Sequence, residues 1–360
     1  MLLPESPTAP DEAVNVIGFS LLEANNGLQQ FQPSWFNVWE ASLFKKAQRK
    51  SGYTQWLFNR FGFDQDPGVH AGDRLRNADY RDCLRAMTMS CKQALDSVDR
   101  KNALLIRRER TALIYFDSWG ETSLFEGVTS WRDSLSLDML PRSIARDYAV
   151  KDFSCKLRGE HNGFLMGLRV AIDRLNTGGI DTVLLCGQFR SFPVLVLSQA
   201  ALATSQQRDR TPTDQRRSHI SVERAGCVIL RKAPQQGIAL HLADYVLLAD
   251  KPDTAVDQLA SRWQATLTDN CAGILGGTHT SKKLQSIEKK ALSRLASPPP
   301  FLSLSTDFGD SGCLNPMLAL QHLRVSHRPE DYLDRQILVN AMDGQGAAWL
   351  MECWPHEVKP

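Results

Sequence analysis

Apolar runs alternate with amphipathic stretches along most of the 360-residue chain, and their order predicts a layered α/β protein. Residues 14–22 (VNVIGFSLL) and 111–118 (TALIYFDS) read as buried strands. The most informative stretch is 158–188. A glycine-flanked turn opens a helix there, and Phe164, Leu165, Met166, Leu168, Val170, Ala171, Ile172 and Leu175 leave it little surface for water. A helix that is apolar nearly all round belongs in a core. Thr177, Gly178 and Gly179 break it, and DTVLLCG (181–187) reads as the next strand. A polar surface loop at 204–221 precedes a further strand, AGCVILRK (225–232).

The second half runs in a similar order. Strand material at 238–250 is followed by a helix at 255–267 and a strand at 271–277 that ends in glycines. An amphipathic helix at 283–295, a strand at 301–305 and a glycine-led helix at 309–324 lead to two closing strands within 336–354. Residues 31–100 read as a helical, aromatic-rich insertion, and 120–135 as a helix after the 111–118 strand. In the insertion, Phe31, Trp35, Phe36 and Trp39 have helical spacing and suit a core or an interface edge. Strands alternating with helices predict a mixed or parallel sheet covered on both faces. The repeated order predicts two halves, 1–235 and 236–360.

Composition narrows the function. A net charge of +2 gives no field for nucleic acid or an anionic membrane. No apolar run reaches the roughly 18 residues of a membrane span, and no basic segment with a long apolar stretch opens the chain. A cytoplasmic protein is expected. Eight cysteines, none in CxxC spacing, point to reduced thiols. Cys186, Cys227 and Cys271 sit in apolar runs as small hydrophobes. Eight histidines without HExxH spacing predict no metal.

Candidate chemistry gathers at the start of the apolar helix, where free N–H groups and the helix dipole favour an anionic or reactive group. Glu160, a weak nucleophile, is presented there. Cys155 is a second candidate, because the flanking Lys156 and Arg158 would lower its pKa. His279 in GGTHT is a third. Arg142, Arg146 and the 204–217 loop offer positive charge to an acidic partner.

Four segments carry a resemblance to a known family: VNVIGFSLLEANNG, EHNGFLMGLRVAIDRLNTGGIDTVLLCG, VERAGCVILRK and ILVNAMDGQGAAWLM. In order and spacing they resemble the ketosynthases of the thiolase-like superfamily. The resemblance implies a duplicated α-β-α-β-α layered sandwich. It also implies a cysteine nucleophile at the helix N-terminus and two histidines from the second half. Here Glu160 stands at the nucleophile position, or His161 if the alignment slips by one residue. Gly276 falls at the first histidine and Asp310 at the second.

A ketosynthase-like chain without these three residues resembles the chain-length factors of type II polyketide synthases. That resemblance implies a catalytically inactive subunit paired with an active ketosynthase, making an aromatic polyketide or an aryl polyene. The resemblance implies no directly bound cofactor: the phosphopantetheine arm of an acyl carrier protein would reach the partner subunit. Thr122, Phe125, Val128 and Thr129 are the implied tunnel-gating residues. The competing expectation is an active acyltransferase or decarboxylase on acyl thioesters that uses Cys155 or Glu160. A third is a homodimeric scaffold with no polyketide link.

Overall fold

A computed structural model describes residues 9–34, 36–62, 80–118, 142–159, 161–202, 217–232, 237–325, 329–343 and 346–356. The chain opens with β1 (Val14–Glu23), β2 (Gln29–Gln30), α1 (Val38–Ser51) and β3 (Gln55–Asn59). There follow α2 (Tyr80–Asp96), α3 (Arg100–Ile106), β4 (Thr111–Ser118), α4 (Arg142–Asp147) and β5 (Phe153–Arg158). Then come α5 (Gly163–Asn176), β6 (Thr182–Phe189), α6 (Pro193–Leu202), β7 (Ser218–Val222) and β8 (Arg224–Arg231). The second half begins with β9 (Ile238–Leu247), α7 (Pro252–Thr266), β10 (Cys271–Gly276), α8 (Lys282–Leu292) and β11 (Phe301–Ser303). It ends with α9 (Leu304–Phe308), α10 (Asn315–Val325), β12 (Gln336–Met342) and β13 (Ala347–Pro355).

Ten strands form one sheet in the order β11-β10-β12-β13-β9-β1-β8-β6-β4-β5. Read outward from its middle, the sheet repeats itself. β1-β8-β6-β4-β5 and β9-β13-β12-β10-β11 each begin with two antiparallel pairings and end with two parallel ones. Val14–Val16 of β1 pair with Ile238–Leu240 of β9 and join the two fives. Residue 235, the expected boundary, lies outside the described residues.

Period-two alternation sends the strands' side chains to separate cores. On β4, Ala112, Ile114 and Phe116 face an inner core, while Leu113 and Tyr115 face an outer one beside α2. On β12, Ile337, Val339 and Ala341 face the inner core and Leu338 faces the outer core beside α7 and α8. The inner core holds α5 and α10 together. That place explains why α5 is apolar nearly all round: Phe164, Leu165, Leu168, Ala171 and Leu175 are all buried. Gly187 and Gly226 are cross-strand partners on β6 and β8. A Cβ on Gly226 would lie 2.5 Å from the Met317 side chain, so the missing side chain lets α10 close on the sheet.

The 31–100 region differs from the expected helical insertion. Gln29–Gln30 and Gln55–Asn59 are strands that pair with each other, and β3 also runs parallel to β7. The polar loop expected at 204–221 therefore ends in a strand. Phe31 is buried against Phe44 and Phe58, whereas Phe36 and Trp39 are exposed. Trp35 and the 120–135 segment lie outside the described residues. No helix among the described residues is long and apolar enough to cross a membrane.

Candidate functional site

The two inner helices begin at the same place, so residues far apart in sequence meet at their N-termini. Asn162 occupies the N-cap of α5 without bonding its side chain to the helix. Its Nδ2 instead donates to Asp343 Oδ2 at 2.7 Å, in the turn before β13. His161, 8% exposed, lies with its ring centroid 4.3 Å from that of His279. Gln199 Nε2, from α6, is 2.6 Å from His161 Nε2. In this orientation the amide donates, so the neutral His161 ring carries its proton on Nδ1. That Nδ1 and the Asn162 Oδ1 are both buried and have no hydrogen-bond partner among the described residues.

Asp310 comes from the turn before α10. Its backbone is stitched to β7, donating to the Ile220 carbonyl at 2.9 Å and accepting from Val222 N at 2.8 Å. Its Oδ1 accepts from Gly312 N and Asn315 Nδ2, and its Oδ2 lies 3.5 Å from His219 Nε2. The Tyr53 ring packs edge-on against His219, and its hydroxyl donates to the Thr280 carbonyl at 3.1 Å. Asn315 Nδ2 also donates to the Thr278 carbonyl, tying α10 to the loop that carries His279. Arg224 reaches under this turn, donating to the Phe308 and Gly309 carbonyls and to Ser311 Oγ while pairing with Glu23.

Burial sets the charges. It pushes the His161 imidazole below its ordinary value, against the opposing pull of Asp310 and Asp343. It also lowers His279 to about 3, helped by the neighbouring His161. Burial alone would raise the Asp310 carboxyl, but the hydrogen bond and charge of His219, then His161 and Asn315, hold it below the usual carboxylate range. At neutral pH the site therefore holds two neutral imidazoles beside an ionised carboxylate.

Of the residues singled out in the sequence, Asp310 and His279 meet here, together with His161. Glu160 lies outside the described residues, as do Thr122, Phe125, Val128 and Thr129. Gly276 stands at the end of β10, where a Cβ would lie 2.7 Å from the Phe301 ring and 2.8 Å from Glu288 Oε1. A histidine has no room there. The buried Glu288 accepts from Gly277 N through both oxygens, and Asn340 Nδ2 donates to its Oε1 at 2.6 Å. Burial raises its carboxyl to about 7.

The expectation of an activated Cys155 needs correction. Cys155 lies within β5, opposite Ile114, and burial raises its thiol pKa. Lys156 points to the other face, where it pairs with Asp117 at 3.2 Å. Of the basic set, Arg146 is exposed and paired with Asp147, and residues 203–216 lie outside the described residues. Sequence reading missed His219, Asn162, Asp343 and Gln199. It also missed Cys313, a buried thiol packed where a Cβ on Gly163 would meet its own Cβ at 3.2 Å.

A duplicated ten-strand sheet around two buried helices has counterparts among solved structures. The ketosynthase from module 1 of the bacillaene synthase of Bacillus amyloliquefaciens superposes with a TM-score of 0.57 at 14% identity, over 97% of this chain and 74% of that one. This is the thiolase-like ketosynthase fold. The AntDE type II ketosynthase, in complex with its acyl-carrier protein AntF, gives 0.59 at 13% identity over 95% and 99% of the two chains. A variant of OleA from Xanthomonas campestris gives 0.54 at 12%, over 97% and 99%. No protein-family model and no curated protein sequence matches the chain.

The sequence resemblance puts the nucleophile position just before α5, at Glu160, which lies outside the described residues. Among the described residues, His161 and Asn162 lead into α5, and the Cys313 side chain packs against Gly163, its first residue. Such a site can hold and pass protons.

Proposed function

We propose that the chain is a non-condensing, ketosynthase-like subunit that pairs with an active ketosynthase and shapes the tunnel that sets product length in polyketide assembly. One observation supports this reading: a neutral, buried pair of tilted rings, His161 and His279, stands at the start of α5, next to the position where the resemblance expects a reactive thiolate. The two other altered positions agree with it. Gly276 is sterically closed to histidine, and Asp310 is committed to His219, Asn315 and the Gly312 amide. An anionic carboxylate there would repel a forming enolate rather than stabilise it.

Pairing is supported by β5, which ends the large sheet and bonds only to β4 among the described residues. A free strand edge is a ready template for a second chain. The acyl groups would arrive on an acyl carrier protein, as the partner of the AntDE ketosynthase does. An active acyltransferase or decarboxylase centred on Cys155 is not favoured, since burial keeps that thiol protonated.

Co-expression with a type II ketosynthase, followed by size-exclusion chromatography, tests the pairing. The expected result is one species holding both chains in equal amounts. Separate elution of the two chains overturns it.

A further inference from the structure

α1 packs on α6 with one side and turns the other outward. The outward face carries Val38, Trp39, Ser42, Lys45, Lys46 and Arg49, all exposed, within roughly one third of the helix circumference. Val38 and Phe36, at 80% and 75%, are the two most exposed large apolar side chains among the described residues, and the adjoining Trp39 is 55% exposed. Single exposed apolar residues are ordinary, but such a group at one helix end forms an apolar tip. Asn37, the N-cap, accepts from Glu40 N at 3.1 Å, so the leading turn does not leave that amide bare.

Cations follow the tip along the same face. Lys45 stands seven residues beyond Val38, about 10 Å along the axis, and Lys46 and Arg49 extend the row. Glu40, the single acid of the helix, is buried. The basic surface continues onto α8, since a Cβ on Gly52, at the end of α1, would lie 3.1 Å from Lys282 Nζ. Partial burial and then the charge of Arg217 lower the pKa of Lys282, as expected where cations crowd together. Beyond it lies a groove whose wall also holds Lys289 and Lys290 and no acid. The overall charge of +2 conceals this concentration.

We propose that α1 seats the protein on an anionic phospholipid surface, with Phe36, Val38 and Trp39 entering the headgroup boundary and the α1 and α8 cations facing lipid phosphates. The inference does not depend on the subunit reading. Charge complementarity commits the surface to an anionic partner, and the order along α1 selects a bilayer. An acidic protein would satisfy the cations, but a leaflet layers phosphate over hydrocarbon in the sequence that this face presents. Interfacial segments sink their apolar side chains by about 5–10 Å, which leaves cations about 10 Å higher level with the phosphates. Tryptophan suits that boundary, because its ring is apolar while its N–H stays wet.

The full chain is sedimented with vesicles of mixed phosphatidylglycerol and phosphatidylcholine, and with vesicles of phosphatidylcholine alone. Binding is expected to the first only, and should fall at about 0.5 M salt. Trp39→Ala should lower the partition coefficient about fivefold. The combined Lys45→Glu, Lys46→Glu and Arg49→Glu variant should lower it at least tenfold, since each cation lost is worth roughly fivefold. A control variant, Lys92→Glu with Arg100→Glu and Lys101→Glu, makes the same charge change at exposed positions of α2 and α3. It should bind within about twofold of the wild type. Equal binding to the two vesicle types, binding to neither, or an equal loss in the control variant overturns the proposal. So does loss of ketosynthase pairing in the α1 variants, which would give this face to the partner subunit.

Discussion

Replacing Arg224 with methionine lowers the stability of the chain by about 3 kcal/mol, the cost typical of removing one partner from a buried ionic network. The guanidinium is 1% exposed and donates to two carbonyls, a hydroxyl and Glu23. Methionine fills similar space but leaves the Phe308 and Gly309 carbonyls and Ser311 without their donor. Glu23 is different, because its side chain is 53% exposed and water can replace the lost partner. Glu23→Gln should therefore cost under about 1 kcal/mol. Denaturant unfolding of the two variants measures the asymmetry. Hydrogen exchange at 308–312 should also quicken in Arg224→Met, since Arg224 holds the turn that presents Asp310. Equal, small losses in both variants would mean that this turn is held by other contacts.

Replacing Glu288 with glutamine stabilises the protein above neutral pH. Burial raises the folded-state carboxyl from its ordinary value of 4.5 to about 7. A raised carboxyl binds its proton more tightly in the folded chain than in the unfolded one. Its favourable contribution is complete below about pH 4.5 and is lost as pH rises through 7. Above pH 8 the buried ionised form costs on the order of 3 kcal/mol. Glutamine keeps an oxygen for Gly277 N and Asn340 Nδ2, both of which reach Oε1, and carries no charge. The variant should thus gain on the wild type between pH 5 and 9 by up to that amount. Unfolding curves at both pH values check this. A gap that stays constant with pH would show that Glu288 does not change protonation in this range.

Much of the fold was legible in the sequence. The strands at 111–118, 182–189 and 224–231 are buried on both faces, so they read as unbroken apolar runs. α5 lies between layers and reads as apolar nearly all round. What escaped notice was short or lay at an edge. β3 and β7 have five residues each and belong to a small separate sheet. β5, FSCKLR, lies at the end of the large sheet among the described residues and mixes polar and apolar residues without clean alternation.

The site was less legible because no local pattern encodes it. His161, His219, His279 and Asp310 come from four elements, and only the topology brings them together. Cys155 shows the converse error. Its basic neighbour in sequence, Lys156, points to the opposite face of the strand, as alternate residues must. Proximity in the chain was mistaken for proximity in space.

The proposed non-condensing role requires that no thiol of this chain accepts an acyl group, which intact-mass spectrometry measures. The purified chain is incubated with an acyl thioester at neutral pH, beside an active ketosynthase as the positive control. The expected result is an unchanged mass for this chain and an acyl increment on the control. An acyl increment mapping to Cys313, Cys155 or any other cysteine here would contradict it.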